Sequence, residues 1–112
     1  MTPDTPICLF SASKAITAML VHKLQEQGKV DLNDTIGKYI PEFACNGKEN
    51  ITIAQVLSHR AGVPKIPMSN PHPSLLFKWD SVIDLINSGY TNRGDGSQQA
   101  YHALVGGYIL GE

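Results

Sequence analysis

Ser11 and Lys14 stand three residues apart in Phe10-Ser11-Ala12-Ser13-Lys14, where an apolar run passes into a helical pattern. Residues at that spacing are neighbours on a helix surface, so a hydroxyl and an amine placed this way can share a proton. Serine is a poor nucleophile as the free alcohol, and a lysine that sheds its charge among apolar neighbours can accept the hydroxyl proton near neutral pH. The flanks Ile7-Cys8-Leu9-Phe10 and Ala15-Ile16-Thr17-Ala18-Met19-Leu20-Val21 supply such neighbours. An uncompensated charge among them is costly. A helix N-terminus at this point adds unpaired N–H groups and a dipole that favour the oxyanion formed when an acyl group is attacked. The plain alternative, a serine N-cap followed by a solvated lysine, uses the same two residues.

The rest of the chain narrows the chemistry. Its 112 residues suit one domain of modest size. An apolar content of 42%, a charged content of 17% and a net charge of -1 are those of a globular protein and give no reason to expect nucleic acid as partner. No apolar run reaches the roughly 18 residues of a membrane span. Met1-Thr2-Pro3-Asp4-Thr5-Pro6 lacks the basic start and apolar core of a signal peptide, so this chain reads as cytoplasmic, with the localisation of any longer parent left open. Cys8 and Cys45 are too few and too distant for a zinc motif or a disulfide framework and are expected to be buried or semi-buried thiols. His22, His59, His72 and His102 show no metal spacing, so neither a metal nor a cofactor is expected. Arg93-Gly94-Asp95 reads as a turn.

These residues need elements to position them. Ala12, Ala15, Ile16, Met19, Leu20 and Leu24 recur at helical steps from Ser11, and Gly28 supplies a left-handed end, predicting a helix from about Ser11 to Gln27. Asn33 or Asp34 can cap a short helix over Thr35 to Ile40 that Pro41 stops. Thr52 can cap a helix containing Ile53, Val56 and Leu57, with Gly62 and Pro64 beyond its end. Four prolines between Val63 and Pro73 predict a long irregular excursion. Asp80 or Ser81 can cap a helix ending near Gly89, and Tyr101 to Glu112 carries a final apolar helical pattern without a stop signal. Strand alternation is absent, and the pattern is mostly α.

In order, Phe10-Ser11-Ala12-Ser13-Lys14, Gln27-Gly28-Lys29-Val30-Asp31-Leu32, Tyr39-Ile40-Pro41-Glu42-Phe43, Val56-Leu57-Ser58-His59-Arg60-Ala61-Gly62-Val63-Pro64 and Tyr101-His102-Ala103 resemble the serine beta-lactamase-related family. That family holds class C beta-lactamases, DD-peptidases and lactamase-like carboxylesterases. The likeness runs from about Ile7 to Glu112. It implies that residues 1-112 form part of a beta-lactamase-like domain: the helical subdomain of an α+β beta-lactamase/transpeptidase-like fold, with the flanking antiparallel sheet largely absent. It further implies a Ser11 acyl-enzyme with Lys14 and Tyr101 as proton-transfer groups, matching the family's S-x-x-K and Y-x-N motifs. Ala103 replaces the asparagine of the second motif. The chain therefore resembles the esterase-like members more than those acting on beta-lactams or peptides, with Ala103 and His102 expected beside a small-molecule ester or amide substrate. The family's K-T-G or H-x-G strand, which supplies an oxyanion donor worth about 100- to 1000-fold in rate, does not occur in the chain. This makes the chain look like a fragment, weak or inactive by itself. The competing expectation is a non-catalytic helical piece that self-associates through exposed apolar helix faces.

Overall fold

The computed structural model describes residues 1–69, 72–91 and 93–112. Helix α1 (Ser13–Glu26) follows a 3-10 turn at Phe10–Ala12, so the helical run begins one residue before Ser11. It closes as expected at Gly28, which takes φ +67° while the Gly28 N–H donates to the Gln25 carbonyl (2.9 Å) and the Lys29 N–H to the Leu24 carbonyl (3.0 Å). Helix α2 (Ile53–Leu57) has the expected Thr52 cap in reciprocal form. The Gln55 N–H donates to Thr52 Oγ1 (3.2 Å) and the Thr52 N–H to Gln55 Oε1 (2.8 Å).

Three expected boundaries move. The helix assigned to Thr35 through Ile40 is a pair of 3-10 turns, Ile36–Lys38 and Pro41–Phe43, with Thr35 rather than Asn33 or Asp34 at the N-cap. Asp34 is otherwise engaged, its carboxylate receiving Lys38 Nζ and Tyr39 Oη, both at 2.6 Å. Pro41 opens the second turn, where its missing N–H is no loss. Helix α3 (Trp79–Ser88) starts ahead of Asp80 and Ser81, and no side chain caps it. A 3-10 turn at Pro73–Phe77, inside the excursion expected to be irregular, feeds into it through Lys78, whose N–H donates to the Leu75 carbonyl (2.8 Å). Helix α4 (Val105–Gly111) starts four residues later than its apolar pattern, because the chain around Tyr101 is bonded to residues 58 and 59 instead of to its own next turn.

The core lies where α4 meets α1, α2 and α3, with Val105 and Ile109 packed among Val21, Val56, Val82 and Ile86. Burial of such side chains contributes about 1.5–3 kcal/mol each before the entropy of ordering is set against it. Lys48 is fully buried, and its ammonium donates to the Asn87 carbonyl (3.0 Å) and the Gly89 carbonyl at the end of α3. A cation there complements the helix dipole. The stripe that α1 turns inward is Lys14, Thr17, Ala18 and Val21. Its stronger apolar stripe faces outward, with Met19 at 63% and Leu20 at 62% exposure, while α4 buries Val105, Gly106 and Ile109. Cys45 is half-buried, but Cys8 is exposed, as is every residue from 1 to 10.

Among the described residues there is no strand, only an isolated antiparallel bridge between Thr35 and Thr52, so the mostly α expectation holds. None of their helices is long and apolar enough to cross a membrane.

Two glycines with similar backbone separate conformation from contact. Gly28 has open space around a added Cβ, whereas at Gly62 (φ +71°) that atom would stand 2.4 Å from the Arg93 carbonyl oxygen. Gly28→Ala should cost about 1 kcal/mol, the left-handed penalty alone. Gly62→Ala should cost more than about 2 kcal/mol, because a backbone clash is added. Urea unfolding of both variants checks this, and equal losses would contradict it.

Candidate active site

The first turn of the α1 run presents Ser11, and the amine of Lys14 reaches it, Nζ donating to Ser11 Oγ at 3.3 Å. The residue before Ser11 is strained: Phe10 has φ +47° with its ring 81% exposed. Ser13 steadies that bend by donating its hydroxyl to the Phe10 carbonyl at 2.6 Å. From the far end of the chain, the Tyr101 phenol donates to Ser11 Oγ at 2.6 Å. Lys14 Nζ also donates to the Ala103 carbonyl at 2.7 Å and lies 5.2 Å from the centre of the Tyr101 ring. Serine, lysine and tyrosine, placed together in the sequence reading by resemblance, thus stand within hydrogen-bonding distance around one oxygen.

The Ser11 hydroxyl, the larger influence, and the nearby Lys14 Nζ favour the Tyr101 phenolate, and together they hold the phenol below the usual tyrosine range against the opposing effect of burial. A phenol shifted this way can both receive and return a proton under milder conditions. Ser11 and Tyr101 are exposed and Lys14 is half-buried rather than enclosed by apolar neighbours, because Ile16 and its companions on α1 turn outward.

The other two expected site residues behave differently. Ala103 takes part through its backbone carbonyl, a group every residue type carries. His102 does not face a substrate: it is fully buried, and both ring nitrogens are occupied, Nε2 accepting from the Val63 N–H (3.1 Å) and Nδ1 bonded to the Ala100 carbonyl. That pairing fixes the neutral tautomer with its proton on Nδ1. Residues with no motif to mark them in the sequence also lie beside the site. The His59 ring packs against Tyr101 with centroids 4.9 Å apart, and its Nδ1 accepts the His102 N–H at 3.1 Å. An apolar cavity of about 480 Å³ adjoins Ala103, walled by Ile66, Met68, Leu75, Leu76 and Leu104.

A fold of this kind, with a serine and a lysine on the first turns of one helix and a tyrosine brought to them by a distant turn, is the helical part of a beta-lactamase/transpeptidase-like fold. The family model described as Beta-lactamase matches residues 1–112, and the chain belongs to that family. It is 30% identical over 109 residues to the esterase/beta-lactamase LipL of Mycobacterium tuberculosis, covering 96% of this chain and 24% of LipL. Superposition on a penicillin-binding protein homolog from Caulobacter crescentus gives a TM-score of 0.91 at 33% identity, covering 99% of this chain and 30% of that one. A family VIII carboxylesterase superposes with a TM-score of 0.85 at 34% identity, covering 91% and 27% respectively. The chain therefore spans 24–30% of the length of these relatives.

Burial, the largest effect, and the neighbouring His59 lower the His102 pKa below 6.5, only partly offset by the Ala100 carbonyl. The folded state then binds fewer protons than the unfolded one just below pH 6.5, so stability rises with pH across that window. Its contribution should be complete above about pH 6.5 and fade as the pH falls toward the folded-state value. Urea midpoints measured from pH 5 to 7.5 should drop on the acid side, with a smaller drop in His102→Asn. An equal acid sensitivity in both proteins would contradict this.

Proposed function

We propose that this chain carries the nucleophile and proton-transfer groups of a serine hydrolase acting on carboxylic esters through a Ser11 acyl-enzyme. The observation that carries the reading is the placement of Lys14 Nζ at 3.3 Å and Tyr101 Oη at 2.6 Å from Ser11 Oγ. Ser11 Oγ would attack the ester carbonyl carbon as its proton passes to the Lys14–Tyr101 pair. Collapse of the tetrahedral intermediate would break the bond to the alkoxide, which takes the proton back from Tyr101 and leaves as the alcohol. Water, activated by the same pair, would then cleave the acyl-serine.

Ester rather than beta-lactam or peptide is favoured by Ala103, which offers no side-chain amide to a substrate amide, and by the apolar cavity beside it. A cavity of about 480 Å³ lies within the usual range for small-molecule sites. It can take an apolar acyl or alcohol group without stranding a polar one. Activity on a beta-lactam or peptide is the alternative, the beta-lactam being consistent with the names of two relatives, an esterase/beta-lactamase and a penicillin-binding protein homolog.

Intact-mass analysis after exposure to an alkyl fluorophosphonate tests the reading. A single adduct should map to Ser11, vanish in Ser11→Ala and persist in Ser13→Ala. Tyr101→Phe should slow labelling by about 100-fold or more, as removal of a general acid–base group does. Longer alkyl chains that fill the cavity should label faster than methyl. A folded chain that takes no label would contradict the proposal.

A further inference from the structure

Helix α2 ends in a feature that its sequence does not favour. The His59 N–H donates to the Val56 carbonyl (3.1 Å) and the Arg60 N–H to the Gln55 carbonyl (2.7 Å), the paired closure that ends many helices. The residue at its left-handed position is usually glycine, as Gly28 is at the end of α1, yet here it is His59 with φ +60°. A side chain held in that region is strained, and such strain is kept where the side chain is needed.

The imidazole has two neighbours to account for it. His59 Nδ1 accepts the His102 N–H at 3.1 Å, and the ring packs at a tilt of 53° against that of Tyr101. The His59 carbonyl accepts the Ala100 N–H at 3.0 Å, and the Ser58 carbonyl accepts Gln99 Nε2 at 3.1 Å. Residues 99, 100 and 102 are thereby strapped to the end of α2, and Tyr101 is the residue between the anchors. Of these bonds, only the one at Nδ1 depends on the identity of residue 59.

We propose that His59 is a positioning residue: by accepting the His102 N–H and backing the Tyr101 ring, it holds the turn that delivers the phenol to Ser11. The inference rests on the reading of Tyr101 as a proton-transfer group, and its test is separable from that reading. A displaced phenol loses the Ser11 hydrogen bond and its place beside Lys14 Nζ, so its titration reports its position without any catalysis. His59→Gly is the informative variant, because glycine accepts φ +60° without strain and removes only the imidazole. His59→Asn keeps a tolerated left-handed residue and a side-chain acceptor.

The experiment follows the Tyr101 phenol by NMR in tyrosine-labelled protein, assigned with Tyr101→Phe, alongside a through-hydrogen-bond N–N coupling experiment on the wild-type chain. The wild type should show coupling between the His102 amide nitrogen and His59 Nδ1, and a Tyr101 midpoint below that of an ordinary tyrosine. His59→Asn should retain that midpoint. His59→Gly should move it to the ordinary range and, where the wild type labels, slow fluorophosphonate labelling at least about tenfold, as expected for a misplaced group. A folded His59→Gly with an unmoved midpoint would overturn the proposal. Absence of the coupling in the wild type would overturn it too, and that arm holds even if the glycine variant does not fold. A moved midpoint in a chain that never labels would leave His59 as the positioning residue and refute the hydrolase reading instead.

Discussion

Lys14 donates its hydrogen bond to the Ala103 carbonyl across 89 positions of sequence, and with the Tyr101 bond to Ser11 it joins the start of α1 to the turn before α4. Neither segment could build the site alone. Three residues of separation fix Ser11 against Lys14 through local helix geometry, but Tyr101 arrives from far along the chain, on a turn bonded to the end of α2 and followed by α4, which packs into the core between α1, α2 and α3. Apolar burial at Val105 and Ile109 thus sets the distance at which polar chemistry happens. The same packing accounts for the inward stripe of α1, Lys14-Thr17-Ala18-Val21, being less apolar than its outward one. Lys14 must share the face that meets the rest of the molecule.

Local preference is set aside in several places for this arrangement. Phe10 bends into the left-handed region just before the serine, and His59 occupies the same region at the end of α2. Residues 101 to 104 stay out of the helix that their apolar character would extend, since their neighbours are bonded to residues 58 and 59. Sites are where such departures from local consistency are expected.

The sequence was legible where a residue type is both rare in its surroundings and locally decisive. Gly28 and Thr52 end and begin helices by backbone geometry and a side-chain cap, and both act as read. Ser11 and Lys14 were visible from spacing, and Tyr101 from family likeness. The contribution of Ala103 was not, because a backbone carbonyl has no signature. Nor was the burial of His102 and Lys48, since polar residues reveal an interior place only when their partners are known, here the Val63 N–H and the carbonyls that end α3. The start of α3 was misplaced because Asp80 and Ser81 are good caps that the preceding 3-10 turn made unnecessary. His59 was hidden for a similar reason, its partner lying 43 positions away.

Everything above depends on this chain, folded by itself, bringing Tyr101 to Ser11 and Lys14. Nuclear Overhauser contacts between the Tyr101 ring protons and the Lys14 side chain, recorded on the unmodified protein in solution, test that most directly. Clear cross-peaks are expected from the ring to the Lys14 ε-methylene, consistent with an amine 5.2 Å from the ring centre. A folded protein whose α1–α4 contacts are present while the Tyr101 ring shows no contact with Lys14 would contradict it.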